Sequence, residues 1–136
     1  MGDGTVDSNW WYGVLIAGIL EPVAFLTPVV LAEAGLYTQE MVDSGEINAF
    51  AYLGLLMVVA MLFSIPILGI CLYLDATAIA ESGLDWTPRP RLWGIGGAVV
   101  PIVGFVAGTP LIWAVALVYL LRRVRAGDGS VVPDVL

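Results

Sequence analysis

Between Ala49 and Leu74 the chain reads AFAYLGLLMVVAMLFSIPILGICLYL, 26 residues without a charge. A helix rising about 1.5 Å per residue would be longer here than the roughly 30 Å hydrocarbon core of a bilayer. Apolar residues fall in long blocks instead of recurring at a helical or strand period, which points to lipid and not to a water-soluble core. The pattern extends over the whole chain: 60% of its 136 residues are hydrophobic and its mean hydropathy is +0.94. That leaves no length for a separate soluble domain, so residues 1–136 read as a single transmembrane domain.

A first span is expected over about residues 10–36. Trp10, Trp11 and Tyr12 open it as an interfacial aromatic anchor, with Ser8 or Asn9 as cap. Glu21 and Pro22 lie within it, and Pro28 follows. Each proline deletes a backbone donor, so a kink or local break is predicted between Leu20 and Pro28. The next stretch, YTQEMVDSGEIN, is a loop with Glu40, Asp43 and Glu46, no basic residue, and Gly45 at its turn. A second span covers about 49–80. Beyond Leu74 it is expected to emerge into water through Asp75 towards Glu81 and to stop at Gly83. The segment LDWTPRPRLW then leads into another helix opened at Pro88 or Pro90. The acidic N-terminus, MGDGTVDSN, lacks the positive region of a secretory signal.

The uncharged block Leu92–Leu121 decides the span count. As one helix it would be about 45 Å long, which demands strong tilt. Gly108-Thr109-Pro110 inside it is a helix stop followed by a cap and a proline suited to a first turn. Folding the block into a hairpin also gathers Arg89, Arg91, Arg122, Arg123 and Arg125 on one side, leaving the acidic loop opposite, as the positive-inside rule requires. The expected fold is therefore an all-α integral membrane protein, a four-helix transmembrane bundle with spans at about 10–36, 49–80, 91–107 and 110–125 and both termini cytoplasmic. Three spans with one long, kinked last helix is the alternative.

Chemistry-bearing residues are few. The chain has no histidine and a single cysteine, Cys71, inside an apolar run. That composition argues against zinc, haem and iron–sulfur sites. No catalytic triad, nucleotide loop or metal motif is present, and GIGG at 94–97 lacks the strand and lysine of a phosphate loop. The expectation is a non-enzymatic protein without cofactor, metal or nucleic-acid partner. Glu21 is the sharpest candidate, because an ionisable group deep in a span is costly. With Ser64 at a similar depth on an antiparallel neighbour, it could form a proton or cation site beside proline-broken helices. The competing reading is a carboxyl group bonded to a neighbouring helix. The five arginines are candidates for lipid headgroup contact. Gly13 and Ala17, Gly94 and Ala98, and Gly104 and Gly108 are four-residue pairs that let helices approach closely, within the bundle or between copies. Asp75, Glu81 and Asp85 are placed to pair with the arginines.

Twelve acidic residues face five basic ones, all arginine. An acidic, lysine-free membrane chain resembles the proteins of extreme halophiles, in whose salt carboxylates repel one another little. Residues 73–94, YLDATAIAESGLDWTPRPRLWG, followed by VYLLRRVRAG at 118–127, resemble small uncharacterised haloarchaeal multi-pass membrane proteins. The shared features are an Asp leaving a span, Trp-x-Pro before the next, and a Tyr-Leu-Leu-Arg-Arg ending. In size and span count the chain is also similar to internal membrane proteins of haloarchaeal enveloped viruses. The functional expectation is a structural or accessory subunit of a membrane assembly, oligomeric, with lipids and itself or another membrane protein as partners. A proton- or cation-coupled transporter or channel centred on Glu21 and a viral membrane component are the alternatives.

Overall fold

The computed structural model describes residues 8–36, 38–45 and 49–127. Within them every regular element is helical: α1 Trp10–Glu33, α2 Gln39–Asp43, α3 Ala49–Glu81, α4 Pro90–Val106 and α5 Ile112–Gly127. Glu46, assigned above to the acidic loop, lies outside the described residues.

The Leu92–Leu121 block is two helices. Val106 ends α4, and Gly108 follows at φ +71°, a left-handed conformation that a Cβ disfavours. The Gly108 N–H donates to the Phe105 carbonyl at 3.1 Å and the Thr109 N–H to the Gly104 carbonyl at 2.8 Å. This pairing satisfies the last carbonyls of α4 and turns the chain back. Two details differ from expectation. The new helix opens at Ile112 and not at Pro110, so its cap position falls on Leu111, whose carbonyl accepts the Val115 N–H, and not on Thr109. Gly108 is a turn residue at which an added Cβ would meet nothing within 4 Å, not half of a packing pair.

α1 runs unbroken through Pro22 and Pro28, so the expected local break does not occur. A missing donor need not end a helix whose flanks are held by neighbours. The Thr27 hydroxyl also bonds back to the Val23 carbonyl at 2.6 Å. Gly35, Gly45 and Gly83 all have positive φ just past helix ends. α4 begins at Pro90 after an extended Arg89, the second of the two openings considered.

The four long helices form a ring in the order α1, α3, α4, α5. α3 packs on α1 and α4, α5 packs on α1 and lightly on α4 and α3, and α1 and α4 stand diagonally opposite. Their shared core holds Val14, Ala17, Leu68, Leu72, Ile112 and Ala116. Small residues set the helix spacing. A Cβ on Gly13 would overlap Cys71 of α3, one on Gly18 would sit 2.7 Å from Ala116 of α5, and one on Gly97 would overlap Leu72. Gly94 faces Tyr73, and Ala98 lies against Gly69. Gly104 abuts Thr109 and Leu111 of its own hairpin. Gly13 and Gly94 thus lie at close approaches to α3, and Gly104 and Gly108 belong to the turn of their own hairpin.

The outside is apolar. Ile16, Leu55, Phe63, Leu92 and Ile95 are each more than 60% exposed, and Val106 is 83% exposed. The buried set, in contrast, includes Glu21, Ser64 and Asp75. A water-soluble domain rarely shows so much contiguous apolar surface. α1 and the Tyr52–Glu81 stretch of α3 are long and apolar enough to cross a membrane, and only 22% and 33% of their most apolar windows are buried. α4 and α5, at 17 and 16 residues, are each about 25 Å long.

Candidate functional site

Asp75 is fully buried, although its place in the sequence suggests the point where α3 meets water. Four helical segments meet around it: the entry to α1, the last third of α3, the start of α4 and the end of α5. Ser8 Oγ donates to Asp75 Oδ1 at 2.6 Å, and Tyr119 Oη donates to Oδ2 at 2.8 Å. Arg123 Nε donates to Oδ2 at 2.9 Å and Nη2 to Oδ1 at 3.4 Å. Nη2 also reaches the Ser8 carbonyl at 3.5 Å. Both carboxylate oxygens thus receive a hydroxyl and a guanidinium N–H, the arrangement a buried charge requires.

Aromatic rings close over this cluster. Trp93 meets Tyr119 edge-on at 4.9 Å between centroids, and Trp86 lies 5.6 Å from Tyr119 and 6.1 Å from Trp93. The Arg123 guanidinium sits 5.6 Å from the Trp11 ring centre, within cation–π range. Ser8 takes a further role by accepting the Trp10 N–H at 3.4 Å, so the helix cap and the carboxylate contact share one hydroxyl. Asn9 contributes no capping bond.

Towards the other end of the bundle, Glu21 is 3% exposed. Its Oε2 accepts the backbone N–H of Trp113 at 2.8 Å. That N–H lies in the first turn of α5 and has no partner within its own helix. Glu21 therefore caps α5 from across the bundle, its carboxyl group set at the positive end of the helix dipole. The Trp113 indole N–H bonds to the Pro110 carbonyl at 3.0 Å, fixing the same corner. A cavity of about 180 Å³ adjoins Glu21, between Met61 and Ile65 of α3, Pro101 and Phe105 of α4, and the Gly108–Pro110 turn.

Ser64 is buried as well, but its hydroxyl donates to the Met61 carbonyl of its own helix at 2.6 Å. It neither lines the Glu21 cavity nor bonds to Glu21. Among the arginines, Arg123 turns inward to Asp75. Arg89, Arg91, Arg122 and Arg125 are exposed and form no ion pair among the described residues. Of the three carboxylates near them in sequence, Asp75 is paired and Glu81 and Asp85 are not.

Sequence reasoning misses Tyr119 and Ser8 as site residues and weighs Asp75 too lightly. A signal is present: Ile112, Ala116, Tyr119 and Arg123 follow one stripe of α5 at helical spacing, all facing inward. An arginine ending an inward stripe needs a buried acid, and Asp75 lies on the inward face of α3 with Leu68, Leu72 and Ile79. Comparison of the chain with protein-family models, curated proteins and solved structures finds no match.

Proposed function

We propose that the chain is a four-span membrane protein whose role is structural or accessory: a non-enzymatic subunit of a membrane assembly, with both termini cytoplasmic and a second copy or another membrane protein as partner. One observation carries this reading. The two buried carboxylates serve as fasteners between helices, Asp75 by holding Ser8, Tyr119 and Arg123 and Glu21 by capping α5, while the bundle turns its large apolar side chains outward. The haloarchaeal source suggested by the acidic, lysine-free composition belongs to the same proposal. Crosslinking in the native membrane followed by purification in mild detergent tests it. A partner or second copy is expected on the apolar faces, and a strictly monomeric protein that crosslinks to nothing overturns it.

A second reading rests on the cavity beside Glu21. A carboxylate next to about 180 Å³ of space is the minimum for a transient proton or cation site in a transporter. Flux through liposomes carrying the purified protein decides this. Flux abolished by Glu21→Gln supports it, and the absence of flux with the unaltered chain removes it.

A further inference from the structure

A groove runs along the outside of the bundle between α3 and α4. It consists of two adjoining cavities of about 870 and 540 Å³. They share Tyr73, Arg91, Ile95 and Val99 in their walls, so they lie side by side along this stripe of α4. The inner part reaches down α3 to Pro66, and the outer part reaches Thr77 and Arg89. The twelve residues from Pro66 to Thr77 span about 16 Å of helix. That is half the roughly 30 Å hydrocarbon thickness, the depth of one leaflet. The walls are apolar except at the outer end, where Arg89, Arg91 and Thr77 stand.

Those two arginines are exposed and unpaired among the described residues, unlike Arg123. Arg89 is held in extended backbone by the prolines on either side, and Arg91 lies in the first turn of α4. The N-terminus of α4 adds its own partial positive charge at the same place. Gly96 forms part of the floor, and a Cβ there would meet nothing within 4 Å. The groove is thus open at a position where a side chain would partly fill it.

We propose that this groove is a binding site for one anionic phospholipid, its phosphate between Arg89 and Arg91 and one acyl chain laid along α3 and α4 as far as Pro66. Positive charge confined to one end of an apolar channel one leaflet deep matches a molecule with a single anionic head and a hydrocarbon tail. A free anion would have no use for the channel, and a zwitterionic lipid offsets its phosphate with a cation of its own and so gains less from the arginines. The site rests on the reading of the chain as a membrane protein. Fractionation of the unaltered chain with membranes checks that reading independently of lipid selectivity.

The test is native mass spectrometry of the full chain in mild detergent with added phosphatidylglycerol, phosphatidylcholine or inorganic phosphate. One phosphatidylglycerol should be retained, with at least fivefold higher occupancy than phosphatidylcholine. The double substitution Arg89→Gln/Arg91→Gln should remove that preference. Gly96→Phe, which leaves both arginines in place and projects into open space, should lower phosphatidylglycerol occupancy by a similar factor. Arg122→Gln/Arg125→Gln should leave occupancy unchanged. Equal retention of the two lipids, equal loss in the Arg122/Arg125 variant, undiminished binding in Gly96→Phe, or displacement by millimolar inorganic phosphate would each overturn the proposal.

Discussion

Asp75 and Arg123 form the one ion pair among the described residues, and their exposures differ: Asp75 has none, whereas the Arg123 side chain is 20% exposed. Removing either partner of a buried pair leaves the other uncompensated, at a cost of several kcal/mol. Arg123 can swing towards the headgroups when its acid is lost, but Asp75 has nowhere to go. Arg123→Leu is therefore expected to destabilise the protein in detergent more than Asp75→Leu. The double substitution should fall short of the sum of the two by about 1–3 kcal/mol. Denaturation monitored by Trp fluorescence would measure this, and full additivity would show that the pair is not coupled. Glu21 behaves differently, because what it satisfies is one N–H. Glu21→Gln keeps an acceptor for the Trp113 amide and should change stability by under about 1 kcal/mol. Glu21→Ala orphans the donor and should cost about 1–3 kcal/mol. Equal losses in both variants would mean that the capping bond is not what Glu21 contributes. At this scale the sequence shows which carboxylate is out of place, Glu21, through its depth in an uncharged run. It shows Asp75 only indirectly, through the inward stripe of α5 that ends at Arg123, because the burial of Asp75 depends on a tyrosine and an arginine 44 and 48 residues away.

Helix boundaries are largely legible because glycine and proline punctuate them: Gly83 after α3, Pro90 opening α4, Gly108 closing it. Of the kink or break expected in α1, the break does not occur: proline chemistry is local, whereas α1 is held by contact with α3 and α5 on its flanks. The same distinction separates two adjacent glycines of α4. Gly96 faces open space, and Gly97 faces Leu72, itself fully buried. Gly96→Ala should gain up to about 1 kcal/mol from helix propensity alone. Gly97→Ala should lose about 1–3 kcal/mol, since Leu72 has no free volume into which to retreat. Thermal denaturation of the two variants compares them directly. A gain at both positions would mean that α3 and α4 are not in the close contact that Gly97 permits. Of the small-residue pairs legible in the sequence, those at Gly13 and Gly94 mark real approaches. Gly18, Gly69 and Gly97 escape notice there because their partners lie on other helices and no four-residue spacing reveals them.

For the molecule as a whole, the hairpin at Gly108 puts the start of α4 and the end of α5 at one end of the bundle, with the Trp86–Trp93–Tyr119 cluster between them. All five arginines therefore lie at that end, and the α1–α3 connection with Glu40 and Asp43 lies at the other. In a four-span arrangement this asymmetry orients the protein by the positive-inside rule. Single cysteines introduced into a Cys71→Ala background report the sidedness. Asp85→Cys should react with a membrane-impermeant maleimide from the cytoplasmic side only, and Thr109→Cys and Ser44→Cys from the opposite side only. Thr109→Cys labelled from the same side as Asp85→Cys would leave two spans and a cytoplasmic hairpin. The four long helices can be read from the sequence, because charge and glycine position both discriminate them; the short α2, Gln39–Asp43, inside the stretch expected to be a loop, cannot. The order of the ring cannot, because four apolar helices of similar composition can be arranged around one another in several ways.

The contact from Ser8 to Asp75 closes a loop of 67 residues, and that from Arg123 back to Ser8 one of 115. During synthesis Asp75 leaves the ribosome 48 residues ahead of its counter-ion. Until then only the Ser8 hydroxyl and water can meet the carboxylate. Closing the bundle around Asp75 therefore waits for the last helix, and a chain cut before Arg123 lacks the partner that lets this end of α3 be buried.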